Sequence, residues 1–145
     1  MKYIEEKNDL FNYEGKAWLA HCISSDFGMG KGIVVEFNKR FDMKRKLQNK
    51  YPDYLNEWLQ NNYTGKCILE GRVLNLITKE KYFGKPTYCS IREALYDMRA
   101  KCYLYNITKI AMPVIGCGLD KLEWSKVSEI IKEIFTNSNI EILVC

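Results

Sequence analysis

Two short glycine-rich stretches carry the residues of this chain best suited to chemistry. The first sets Gly28, Gly30 and Gly32 around Lys31, and the second runs Ile115-Gly116-Cys117-Gly118-Leu119-Asp120. Glycine lets a backbone turn sharply and approach a ligand closely. A helix starting just behind such a loop offers free N–H groups and the positive end of its dipole to an anion such as phosphate. Neither stretch has the Walker A spacing or the GxGxxG dinucleotide fingerprint, so each alone can also be read as a simple turn. Two such loops at the ends of different strands could clamp both sides of a diphosphate.

Lys79 and Asp120 add reactive groups to that edge. Lys79 follows a β-type run, Val73–Thr78, and would reach Asp120 if that strand is parallel to the others. A lysine amine freed of its proton can attack an aldehyde-like anomeric carbon, and a carboxylate can move protons as bonds break. The competing reading is an exposed strand-end lysine and a helix-start aspartate, and spacing alone leaves both open. His21, inside an apolar run, is either a hydrogen-bonded core residue or a catalyst. Cys117 could be a nucleophile only if His21, the one histidine, reached it; a small loop residue is the plainer reading. Tyr82, Phe83, Tyr88 and Trp124 could stack on a base or belong to the core and its rim.

Strands alternating with helices must position these groups. Tyr3–Glu6 reads as an edge strand, and Asn8-Asp9 as a turn that returns Leu10-Phe11 to apolar surface. Ala17–Ser24 is a continuous apolar run, suited to a strand buried on both faces. Behind the first glycine loop, Ile33, Val34, Phe37 and Phe41 keep the spacing of a helix face. Lys44–Gln60 reads as a helix, a break near Pro52 and a shorter helical piece. Cys67–Glu70 and Val73–Thr78 flank Gly71-Arg72 as a hairpin. Thr87 caps a helix through Ile91, Leu95, Met98 and Cys102 that ends near Asn106. Ile110–Val114 is a further strand, Trp124–Phe135 a helix and Ile140–Val144 a closing strand. The pattern is α/β, a layered fold around a largely buried sheet.

Composition narrows the function. The chain has 145 residues, 47% hydrophobic and 28% charged, enough for one core but too few for two ordinary domains, so residues 1–145 are expected to form one domain. No apolar run approaches the roughly 20 residues of a membrane helix, and MKYIEEKNDL lacks a signal peptide's apolar middle. A cytoplasmic protein with reduced cysteines and no membrane partner is expected. The six cysteines show no close pairing and there is a single histidine, which argues against a zinc site. The net charge of +4 is spread among acidic residues, so nucleic-acid binding is permitted but not indicated.

Taken together, AHCISSDFGMGKGIVVEFNKRF, LITKEKYFGKPTY and MPVIGCGLDKLEWSKVSEIIKEIF resemble, in order and separation, the macro domains of the terminal ADP-ribose protein glycohydrolase type. The resemblance covers nearly the whole chain, with Met43–Gly65 its weakest part. It implies a single three-layer α/β/α macro domain with a central mixed sheet, binding ADP-ribose along the carboxyl ends of the strands. Asp9 matches the aspartate that contacts the adenine amino group, with Leu10 beside it, although Asn8 stands where the family has glycine. Met29, Gly30, Lys31, Gly32 and Ile33 match the loop around the distal ribose and diphosphate, with Ser24 and Thr78 adjacent. Ile115, Gly116, Cys117, Gly118 and Leu119 match the second phosphate loop.

The same resemblance makes Lys79 the catalytic lysine and Asp120 the catalytic aspartate. The implied reaction is attack of the amine on the distal ribose C1″ of an ADP-ribosyl ester, with the aspartate assisting turnover of a lysyl intermediate. No cofactor and no metal are implied. The implied partners are ADP-ribose or ADP-ribosylated protein, with ADP-ribosylated nucleic acid as a further acceptor class, and the protein is expected to act as a monomer. The alternatives are a non-catalytic ADP-ribose reader and an ADP-ribose 1″-phosphate phosphatase.

Overall fold

The computed structural model describes residues 1–145. Six strands build its sheet: β1 (Lys2–Glu5), β2 (Trp18–Ser24), β3 (Lys66–Glu70), β4 (Val73–Lys79), β5 (Lys109–Met112) and β6 (Glu141–Val144). Their spatial order is β1-β6-β5-β2-β4-β3. Only β3 is antiparallel to its neighbour, closing the hairpin with β4 through Gly71, whose φ is +59°. The other five strands are mutually parallel, so their carboxyl ends share one edge. Ligands bind outside that edge in open α/β sheets.

Apolar residues alternate along the central strands, and each set meets a different helical layer. Ala20, Leu74 and Leu76 face α4 (Tyr88–Tyr105) and α5 (Trp124–Phe135), packing with Ile91, Leu95, Val127 and Ile131. Leu19, Ile23, Val73 and Ile77 face α1 (Val34–Phe41), α2 (Met43–Lys50) and α3 (Tyr54–Gln60), packing with Phe37, Leu47 and Trp58. Period-two alternation buried on both faces explains why β2 and β4 read as near-continuous apolar runs. The result is the three-layer α/β/α arrangement with a mixed sheet that the resemblance implied.

Local signals set most boundaries. The Thr87 hydroxyl accepts from Ser90 N–H while Ser90 Oγ accepts from Thr87 N–H, a reciprocal cap that starts α4. Asn106, in the left-handed conformation, ends it. Three details correct or add to the sequence reading. The strand expected over Ile110–Val114 stops at Met112, leaving Val114 exposed in a loop. Leu10-Phe11 open a 3₁₀ turn, Leu10–Tyr13, because the Asp9 carboxylate accepts Phe11 N–H at 3.0 Å and caps it. The pairing of β2 with β4 also slips at its end: Ile23 lies opposite Ile77, but Ser24 lies opposite Lys79. Thr78 is therefore an extra residue, a bulge that re-aims the strand end.

Candidate functional site

A cleft of about 760 Å³ opens at the carboxyl edge of the sheet, within the range of small-molecule sites. Its walls are the two glycine loops, the ends of β2 and β4, and the segment from Tyr82 to Lys85. Four charged side chains line it, Lys31, Lys79, Lys85 and Asp120. With three lysines to one acid, the cleft favours an anionic ligand.

The first loop runs directly into α1. Gly32 has φ +79°, a conformation that suits glycine, and α1 starts at Val34 with no side chain capping its first turn. Val35 and Glu36 N–H already donate to the Gly32 and Ile33 carbonyls at 3.2 and 3.1 Å, so what the helix offers a ligand is the Val34 N–H and the positive end of its dipole, in a cleft lined by Gly30, Lys31, Gly32, Ile33 and Val34. The second loop does not share this geometry. It turns at Gly116, with φ +74° and its carbonyl accepting Leu122 N–H at 2.8 Å, while α5 begins only at Trp124. Ile115, Gly116, Gly118 and Leu119 still form the opposite wall.

Lys79 and Asp120 meet between these loops. Lys79 Nζ donates to Asp120 Oδ1 at 2.8 Å, and the two side chains are 16% and 17% exposed. Such exposure rejects the reading of a free strand-end lysine. The Thr78 bulge brings Lys79, rather than Thr78, opposite Ser24, and both Lys79 and Ser24 reach the cleft wall. Cys22, two residues before Ser24, also lines the cleft. Burial pushes its thiol up to about 12, and the negative charge of Asp120 adds to the effect.

Not every expected ligand residue reaches the cleft wall. Ser24 does, whereas Met29 and Leu10 are core residues at 6% and 4% exposure and Thr78 is buried beneath the wall. Cys117 turns its Sγ back to the Ile115 carbonyl at 3.2 Å, and burial raises its thiol, both of which work against a nucleophilic role. Asp9 is exposed beyond the end of β1, on the same sheet edge but outside the cleft lining. His21 is a core residue: it is fully buried, its Nε2 lies 2.6 Å from Asn75 Oδ1, and its ring stacks on Phe37 at 3.8 Å. Tyr82 and Phe83 stand edge-to-face at the mouth, 5.2 Å apart and largely exposed. Tyr88 and Trp124 serve the scaffold, accepting from Glu123 N–H and donating to Glu5 respectively.

The reading from sequence missed Asp26 and Lys85. Lys85 carries no local signal, but Ser24-Ser25-Asp26 ahead of a glycine is a recognisable Asx-turn pattern. No group of three or more His, Cys, Asp or Glu is gathered as a metal site, and no helix is long and apolar enough to cross a membrane.

A three-layer fold with this edge and cleft is that of a macrodomain. The macrodomain of Mycobacterium tuberculosis DarG superposes with a TM-score of 0.78 at 20% identity, covering 98% of this chain and 95% of that one. The Thermosipho africanus DarTG structure in complex with ADP-ribose gives 0.75 at 19% identity, over 99% of this chain and 41% of that one. No family model matches the chain. Among curated proteins, the Bos taurus ADP-ribose glycohydrolase OARD1 is 40% identical over 139 residues, 95% of this chain and 87% of its own length. The chain belongs to the OARD1 family of macrodomain ADP-ribose glycohydrolases.

Proposed function

We propose that this protein hydrolyses ADP-ribosyl linkages, with Lys79 as nucleophile and Asp120 as its proton partner. One observation carries the reading: the shielded 2.8 Å pair of Lys79 Nζ and Asp120 Oδ1, set between two loops suited to an anion. The family's named activity and the ADP-ribose bound by the Thermosipho DarTG protein support the same ligand.

In this reading the diphosphate lies against Gly30–Ile33 and Gly116–Leu119, with Ser24 alongside. Adenine extends toward Asp9, and the distal ribose sits over Lys79. Asp120 accepts a proton from the lysine, whose free amine then attacks C1″. The C1″–O bond to the acceptor breaks with its electron pair on the leaving oxygen. Asp120 then releases that proton to solvent; water bonds to C1″ as the C1″–Nζ bond breaks, and Asp120, again a carboxylate, takes the water's proton and passes it to the departing amine. ADP-ribose and free lysine result.

The cleft also favours a class of acceptor. Asp120 is its only acidic lining residue and is already engaged with Lys79, so no second acid stands ready to protonate a leaving group. A carboxylate leaves without protonation, which suits ADP-ribose esters of Asp or Glu side chains. Product analysis on ester-linked, base-linked and 1″-phosphate-linked ADP-ribose tests this. Fastest release from the ester is expected, and preferred release of phosphate would establish the phosphatase alternative instead. Binding without release from any of them would leave only a reader.

A further inference from the structure

Asp26 lies in the turn between β2 and the first glycine loop, and its carboxylate is saturated by donors from three directions. Oδ1 accepts the Ser24 hydroxyl at 2.5 Å and Gly28 N–H at 3.0 Å, and Oδ2 accepts Tyr82 N–H at 3.0 Å. One side chain thus ties the glycine loop to the segment that follows Lys79. The neighbouring residue adds to the tie, since Ser25 N–H donates to the Lys79 carbonyl at 2.9 Å and Ser25 Oγ to the Glu80 carbonyl at 2.5 Å.

The turn has little freedom to relax. Phe27 is held at φ +59°, a conformation rare for an aromatic residue, and is kept there by burial to 2% exposure and stacking on Tyr54 at 5.4 Å. Gly28 leaves the loop in contact with its neighbour: a Cβ there would lie 2.6 Å from the Tyr82 Cβ. Burial pushes the Asp26 carboxyl up, but the hydrogen bonds from Ser24, Gly28 and Tyr82 outweigh it and hold the group below the usual carboxylate range.

We propose that Asp26 is the positioning residue of this enzyme, fastening the Lys79–Tyr82 segment to the first glycine loop so that the amine is held in line with the ribose that the loop binds. This rests on Lys79 being the nucleophile. Asp26 touches neither ligand nor reacting atoms and acts by restraining backbone on both sides of the cleft. Its charge matters because an asparagine could keep only one of the two N–H tethers, its amide nitrogen then opposing the other donor.

The test compares Asp26→Asn, Gly28→Ala and Lys79→Ala with the wild type on an ester-linked ADP-ribosyl peptide, alongside calorimetry with ADP-ribose and thermal midpoints. Asp26→Asn should lower kcat by at least about tenfold with KM and ADP-ribose affinity within about threefold, because misplacing a reacting group costs rate more than binding. Gly28→Ala keeps the carboxylate but pushes Tyr82 away. It should reproduce the loss in kcat, and it carries the test if Asp26→Asn does not fold. Wild-type kcat in the folded variant, or a loss of kcat matched by equal loss of ADP-ribose affinity, overturns the positioning role. An inactive Lys79→Ala beside a fully active Asp26→Asn overturns that role alone, whereas an active Lys79→Ala overturns the lysine mechanism and this inference with it.

Discussion

Lys79 and Asp120, 41 residues apart in sequence, form a 2.8 Å ion pair at the meeting point of two loops from different strands. The Thr78 bulge sets Lys79 rather than Thr78 opposite Ser24, and both Lys79 and Ser24 line the cleft. If Asp120 accepts the lysine proton, Asp120→Asn keeps the shape but loses the base. Turnover should fall by about 10²-fold or more while ADP-ribose affinity stays within about threefold. Steady-state kinetics with calorimetry checks this, and near wild-type turnover would remove Asp120 from the chemistry.

The buried pair of His21 and Asn75 sets a pH limit on stability. Burial depresses the imidazole from 6.5 to about 4, with the Asn75 hydrogen bond opposing. Between those values the unfolded chain binds a proton that the folded chain refuses, so stability falls as pH drops through that window. The gap corresponds to about 3 kcal/mol lost by pH 4. Denaturant unfolding at pH 7 and pH 4.5 reads the loss, and an NMR titration of the one histidine should find it neutral until about pH 4. An imidazole that titrates near 6.5 in the folded protein would contradict this.

Gly65 precedes β3 where the chain crosses α4. A Cβ at this position would stand 2.3 Å from the Ser90 carbonyl oxygen and 2.7 Å from the Ala94 nitrogen, both backbone atoms that cannot rotate away. Gly65→Ala should cost about 2 kcal/mol by overpacking, lowering the thermal midpoint by roughly 5–10 °C. An unchanged midpoint would mean that α4 can shift without cost.

Much of this was legible in the chain because the signals are local. Thr87 and Asn106 mark the two ends of α4, Gly71 marks the hairpin, and alternating apolar residues with glycine breaks give the parallel strands. The two glycine loops and Asp120 could be placed at one edge from the strand pattern, whereas the place of Lys79 hung on β4 being parallel to β2, which only the pairing reveals. The Thr78 bulge could not be placed either, since it is a product of pairing between β2 and β4 and no residue type signals it. The same holds for the role of Asp26, whose partner Tyr82 lies 56 residues away. Met29 and Cys117 lie in the two glycine loops and Thr78 near the end of β4, and a motif does not say which side chains of such a stretch turn inward. The gap between the second loop and α5 arises because Leu122 N–H closes a turn on Gly116 before the helix can begin.

The most direct test of the lysine mechanism is intact-mass analysis of Asp120→Ala after incubation with an ester-linked ADP-ribosyl peptide, run beside the double variant with Lys79→Ala. If Lys79 attacks C1″ and Asp120 is needed to release the product, the single variant, whose lysine must lose its proton to solvent instead, slowly gains the mass of one ADP-ribosyl group, mapped to Lys79, and the double variant gains none. An Asp120→Ala protein that releases ADP-ribose with no adduct, together with a Lys79→Ala protein that still turns over, would contradict covalent catalysis by the lysine.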